Sequence, residues 1–424
     1  MEREAVQRRT LRVLFAAQVL SGAGLGAGVS VGALLAEDMI GGTGFAGVPA
    51  ALFTGGSALA AYVVGALSQR AGRRPGLAVG LATGAVGGAG TVLAAAIDSV
   101  PLLLICLFLY GSGVATNLQA RYAGADLAHP DRRATAISTV LVGTTVGAVI
   151  GPNLVDVMAG VARHFGIREL AGPFILSSAA YACGAVIVAL FLRPDPLLIA
   201  RAERLGEIAD TGPAVDVVHD PRTVRLAATV MVVSQMVMLA IMTMTPVHMR
   251  EHGQPLSAAG LVISLHIAAM FLPSPVTGRL VDRVGRRPLI AAGAMTLGAA
   301  GVVAALAPAE SIPAVAVALI LLGLGWNLGV VGGTALLTDS VPLERRARTQ
   351  GGADVALALA GATGGLGSGV VVASTSFAAL SLVGGAVGLA VLPLLLAVRT
   401  RHASGAVDSG AAQREPVVHA GDQG

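Results

Sequence analysis

GRLVDRVGRRP, residues 278–288, stands where one long apolar run stops and the next begins. Gly278 and Asp282 are four apart, so on a helix they share one face. The glycine lets a neighbouring backbone come close, and the aspartate is presented to whatever lies there. Gly285 suits the left-handed position that ends a helix, and Pro288 the first turn of the next. Arg283, Arg286 and Arg287 hold the turn on one side of a membrane. A near copy, GALSQRAGRRP, occupies residues 65–75, 213 positions earlier. Gly65, Leu67, Arg70, Gly72, Arg73, Arg74 and Pro75 match, and Gln69 stands where Asp282 stands. The same offset carries Asp126 onto Asp339, Asp131 onto Glu344, Arg132 onto Arg345 and Arg133 onto Arg346. Two separate segments sharing one offset mark a duplication of two roughly 200-residue halves.

Composition places both halves in a membrane. The chain is 54% hydrophobic and only 12% charged, about half the charge of a soluble domain. Its 57 glycines among 424 residues are too many for soluble helices but useful where membrane helices pack through small side chains. A net charge of +4 raises the question of nucleic acid, which the distribution of charge answers below. Cys106 and Cys183 fall inside apolar runs and read as packing residues rather than a disulfide or metal site.

The apolar runs lie at about 11–36, 44–68, 76–96, 100–125, 135–160 and 172–193, then 223–248, 255–281, 288–308, 312–338, 349–373 and 376–398. Each is long enough to cross ~30 Å of hydrocarbon at ~1.5 Å per residue. The first is longer than the core of a signal peptide and reads as a span. The expected fold is therefore an all-α membrane protein of twelve transmembrane helices in two pseudo-symmetric six-helix halves, residues 1–193 and 223–398. A connector runs over 194–222, and the polar tail 399–424 reads as disordered and cytoplasmic. Within the connector, 196–210 has helical apolar spacing and reads as an interfacial helix or a plain solvated linker. With the N-terminus in the cytoplasm, only Arg163, Arg168 and Arg250 of the 28 arginines fall on the far side. The basic balance is thus topology, with both termini cytoplasmic, and no nucleic acid is required.

The glycine–aspartate–arginine turn after the second span of each half resembles the signature of the major facilitator superfamily. GTTVGAVIGP, residues 143–152, with Gly143, Gly147, Gly151 and Pro152, resembles part of that family's antiporter motif, without the glycine pair expected after the proline. Residues 264–280 and 323–327 resemble a bacterial drug-efflux-type branch. The resemblance implies a multi-pass transporter of the bacterial cytoplasmic membrane, monomeric and without a cofactor. It implies proton-coupled export of a small organic compound by alternating access. An importer or metabolite facilitator, or a non-transporting receptor or scaffold, remains the alternative. It also implies a conformational latch. Asp282 is expected at the start of span five and Gln69 at the start of span eleven. Arg286 or Arg283 is expected to pair with Asp339, and Arg73 or Arg70 with Asp126, while Gly65 and Gly278 give the clearance.

Few ionisable groups lie inside the spans, where each costs roughly 2.5–3.5 kcal/mol to insert. His266 sits in span eight before Pro273 and Pro275, and reads as a titrating imidazole or as a neutral one bonded to a neighbouring helix. Its pKa needs the smallest perturbation, so it is the first expectation for proton coupling. Asp354 reads as a buried carboxylate between the halves or as a cap on span eleven. Asp156 lies near the outer end of span five. Gln18, Asn117, Gln119, Gln235 and Asn327 are the polar candidates for a cavity wall, Trp326 with Asn327 beside it reads as a ligand-stacking ring or as core packing, and Arg121 is expected to snorkel to the cytoplasmic surface. No metal-spaced cluster, nucleophile elbow or phosphate-binding loop with lysine is present in the sequence, so an enzyme is not expected.

Overall fold

Inside hydrocarbon a backbone must satisfy its own polar groups, and an apolar chain does so as helices. The computed structural model describes residues 3–40, 47–211, 220–308 and 310–398, and every regular element among them is helical. The first half contains α1 (Arg3–Ile40), α2 (Gly47–Ala71), α3 (Arg73–Ala96), α4 (Val100–Ala125), α5 (Arg133–Asn153), α6 (Val155–His164) and α7 (Gly172–Phe191). The amphipathic segment after it forms a helix, α8 (Pro196–Thr211). The second half contains α9 (Pro221–Glu251), α10 (Leu256–Phe271), α11 (Ser274–Val284), α12 (Arg286–Leu306), α13 (Ile312–Asp339), α14 (Leu343–Ser374), α15 (Phe377–Leu389) and α16 (Val391–Ala397). Among the described residues, ten helices are long and apolar enough to cross a membrane, and α1 and α5 complete the twelve. The tail 399–424 lies outside the described residues.

Three spans expected as single helices are broken. Span five ends at Asn153, and Leu154 leads into α6, with Asp156 exposed in its first turn. Span eight breaks at Leu272–Pro273 between α10 and α11, where prolines 273 and 275 remove two helical donors. Span twelve breaks at Ala390.

Close packing rests on absent side chains. A Cβ on Gly147 would lie 2.0 Å from the Val19 carbonyl oxygen, and one on Gly143 2.9 Å from that of Phe15. The antiporter-like stretch therefore presses α5 directly on α1. Gly151 is buried on the same helix, and the side chain of Pro152 lies outside the described residues. At the end opposite the arginine-rich turns, Arg168 bridges Asp38 (2.5 Å) and Asp98 (2.8 Å).

Candidate functional site

The two GRRP turns place the first groups of the site. Gly72 and Gly285 have φ of 99° and 108°, values L side chains rarely adopt, so each turn reverses sharply from one helix into the next. Asp282, in the last turn of α11, accepts from Ala134 N–H (3.0 Å), Thr135 N–H (2.8 Å) and the Thr135 hydroxyl (2.7 Å). These are the free donors at the start of α5, where a negative charge is favoured. Gln69 makes the related contact without charge. Its Oε1 accepts from Ala347 N–H (2.8 Å) at the start of α14, and its Nε2 donates to the Glu344 carbonyl (2.6 Å). The accompanying glycines are needed for this approach. A Cβ on Gly65 would fall 2.8 Å from the Gly351 Cα, and one on Gly278 2.6 Å from the Ala134 carbonyl oxygen.

Behind these turns lies a seam of ion pairs. Arg73 binds Asp126 through Nε (2.7 Å) and Nη2 (3.2 Å), and also donates to Gln350 Oε1 (2.6 Å) in the other half. Arg286 donates to Asp339 (2.9 Å), and Arg133 reaches the same carboxylate across the halves (2.6 Å). Arg70 and Arg283 are exposed, so Arg73 and Arg286 are the arginines that meet the aspartates.

Deeper still, Arg121 is buried rather than snorkelling. It donates to Asp354 Oδ1 at 2.7 Å, and the two side chains are 0% and 2% exposed. Tyr122 donates its hydroxyl to the same oxygen (3.2 Å), and Arg121 lies over the Tyr122 ring (4.3 Å). Asp354 Oδ2 is buried without a partner. Asp354 is thus a carboxylate joining α4 to α14, not a cap. Arg121 Nε also donates to Thr334 Oγ1 (3.1 Å). The 213 offset maps Arg121 onto Thr334 itself. Repeat-equivalent residues that touch must lie beside the pseudo-two-fold axis, so this ion pair sits on the seam between the halves.

The remaining candidates divide by half. In the first, Gln18 Nε2 donates to the Asn117 carbonyl and Thr144 Oγ1 (both 2.9 Å), and Asn117 donates to Ser21 Oγ (2.6 Å). Gln119 donates to the Ala61 carbonyl (2.6 Å). These buried amides are spent tying α1, α2, α4 and α5 together. In the second half, Trp326 donates to Gln235 Oε1 (2.7 Å) and meets the Phe271 ring edge-on at 5.4 Å between centroids. Asn327 donates to the Met270 carbonyl and Ser274 Oγ (both 2.7 Å), satisfying a carbonyl at the proline break. His266 Nδ1 lies 2.8 Å from the Leu319 carbonyl of α13, and Nε2 is buried without a partner. Gln350 and Tyr122 were not singled out by sequence, and nothing in their local context marks them. Among the described residues no group of three or more His, Cys, Asp or Glu is placed to hold a metal.

A family model described as Major Facilitator Superfamily matches residues 14–256 and 226–422. An uncharacterized MFS-type transporter of Bacillus subtilis, YddS, is 52% identical over 92% of this chain and 90% of its own. The riboflavin transporter RfnT of Brucella anthropi is 31% identical over 94% of this chain and 98% of its own. Among solved structures, the human organic anion transporter MFSD10 superposes with a TM-score of 0.74 at 17% identity, covering 92% of this chain and 99% of that one.

Proposed function

The chain belongs to the major facilitator superfamily, and on that premise we propose that this transporter exports a small organic compound in exchange for protons by alternating access. The arginine-rich end lies in the cytoplasm, and the helices there are drawn together. The turns around Gln69 and Asp282, with the Arg73, Arg133 and Arg286 pairs, form a latch that closes this end.

One observation carries the coupling: the buried Arg121–Asp354 pair bridges the halves beside their axis. A carboxylate that binds the opposite half only while ionised links a proton to the gate. Protonation cancels the charge that holds Arg121, which weakens the closed seam and favours opening. His266, although nearer to neutrality in water, bonds to α13 within its own half, so its charge does not act between the halves. Asp156 is exposed at the start of α6 and lies apart from this seam. Substrate flux in proteoliposomes, with and without an imposed pH gradient, tests the proposal. Extrusion that follows the gradient in wild type and is lost in Asp354→Asn is the expected result.

A second reading has its own support. The relative named as a riboflavin transporter, together with Trp326, Phe271 and Gln235 gathered on α9, α10 and α13, favours a flat heteroaromatic cargo. Rings stack on aromatic side chains, while an amide reads their polar edge. Competition between riboflavin and a labelled substrate, or direct flux of riboflavin, separates this reading from an unrelated cargo.

A further inference from the structure

The repeat relates the latch contacts in pairs, and one pair is missing. Arg133 donates to Asp339 across the halves at 2.6 Å. The 213 offset maps that contact onto Arg346 and Asp126. Yet both Asp126 oxygens are taken by Arg73 (2.7 and 3.2 Å). Arg346 keeps one hydrogen bond, from Nε to the Val341 carbonyl at 3.3 Å. It is nonetheless only 4% exposed, and among the described residues it has no carboxylate at ion-pair distance. Arg133 Nε is likewise buried without a partner.

Both arginines line one polar cavity of about 150 Å³, roofed by α8 and shared with Asp126, Glu203, Arg204 and Leu343. In this layer Arg73 pairs with Asp126, Arg133 and Arg286 share Asp339, Arg286 also lies 3.7 Å from Asp282, and Glu203 is engaged by Arg3 at 3.3 Å, so of the four arginines here Arg346 is the one without an ion pair among the described residues. A buried guanidinium without a counter-charge is costly. The donors of Arg346, with the unpartnered Nε of Arg133 on the same polar cavity, make a site for an anion.

We propose that this cavity binds a phosphate-class oxyanion, held by Arg346 from the second half and Arg133 from the first. The anion replaces the Arg346–Asp126 contact that the repeat omits, and so ties the closed ends of α5 and α14 together. A phosphate group is supplied either by the free ion or by the headgroup of an anionic lipid at the cytoplasmic surface. This inference goes beyond the transport reading, because binding is measured without flux.

The test uses the purified full chain, with thermal unfolding followed through Trp326 fluorescence. Inorganic phosphate is titrated in detergent at fixed ionic strength, with chloride as the balancing ion. The same melts are run in nanodiscs of phosphatidylcholine with and without phosphatidylglycerol. Phosphate is expected to raise the melting temperature progressively. Arg346→Gln is expected to weaken that response by about tenfold in apparent affinity, and Arg346→Lys to restore most of it. A shift produced by phosphatidylglycerol but not by free phosphate, and lost in Arg346→Gln, assigns the site to the lipid headgroup. No response of the wild type to either probe overturns the proposal, as does an equal response in Arg346→Gln. If Arg346→Gln does not fold, the wild-type titration against chloride decides alone.

Discussion

Asp354→Asn isolates the charge of the central seam while keeping its shape. The amide oxygen still accepts from Arg121 Nη2, which stands 2.7 Å from Asp354 Oδ1. The new amide nitrogen takes the place of Oδ2, an atom with no partner, so it gains nothing. Arg121 then remains fully buried with Tyr122, Thr334 and the Leu118 carbonyl as neutral acceptors. Breaking a buried pair from one side costs about 3–5 kcal/mol, and the retained geometry argues for about 3. If the closed gate bears that cost, the closed-to-open ratio falls about a hundredfold. Two assays read the effect. Proteoliposome flux under a pH gradient is expected to collapse, while substrate exchange without a gradient persists. Melting followed by Trp326, the single tryptophan, is expected to show destabilisation that Arg121→Gln partly relieves in the double variant. Full gradient-driven flux in Asp354→Asn would refute the coupling role. A double variant no more stable than the single one would refute the charge argument.

At the latch, Asp282→Asn is expected to impair transport more than Gln69→Ala at matched expression. The first loses a charge aimed at a helix start, worth about 0.3–1 kcal/mol or more when partly buried, and the second only neutral bonds; equal activities would count against the asymmetry. Gly65→Val is expected to hold the arginine-rich end open, because its side chain meets the Gly351 backbone. Increased labelling of a cysteine placed at Ser138, behind the seam, would register this, and unchanged labelling and flux would not fit. His266→Asn keeps a donor toward the Leu319 carbonyl and is expected to retain gradient-driven flux; its loss would return the coupling role to the histidine. Trp326→Phe removes the indole donor to Gln235 and is expected to raise the substrate KM several-fold; because it also removes the single tryptophan, folding of this variant is checked by circular dichroism.

The repeat offset located both turns and the aspartates that their arginines meet, Asp126 and Asp339, because like positions in a duplicated fold inherit like contacts. Hydropathy located the spans, since length and apolarity are set by the bilayer alone. Where backbone geometry intervened, the spans broke: Pro273 and Pro275 divide one helix, and the turn at Leu154 divides another. Arg121 shows what periodicity does not carry. A long cation near a span end has the same sequence pattern whether it reaches water or a carboxylate 233 positions away, and only packing between the halves decides. The amides of Gln18, Asn117 and Gln119 are similar. Their side chains were candidates for a cavity, yet backbone carbonyls on neighbouring helices claim Gln18 and Gln119, and the Ser21 and Thr144 hydroxyls claim Asn117.

The Arg121–Thr334 contact also limits how such a chain arises. A residue on a two-fold axis meets its own copy, so an ancestor of two identical halves would have set arginine against arginine, or threonine against threonine. Neither arrangement gives a single buried cation with a single acid. Before duplication, then, any charge at this point was present twice, and so was any acid that balanced it. Gene fusion freed the two copies to differ at this point, and only afterwards was a single arginine, paired with a single acid, possible there. The polarity of this buried pair is in this sense a product of lost symmetry. Restoring the symmetry, by Thr334→Arg, would set two guanidinium groups against each other in the present fold.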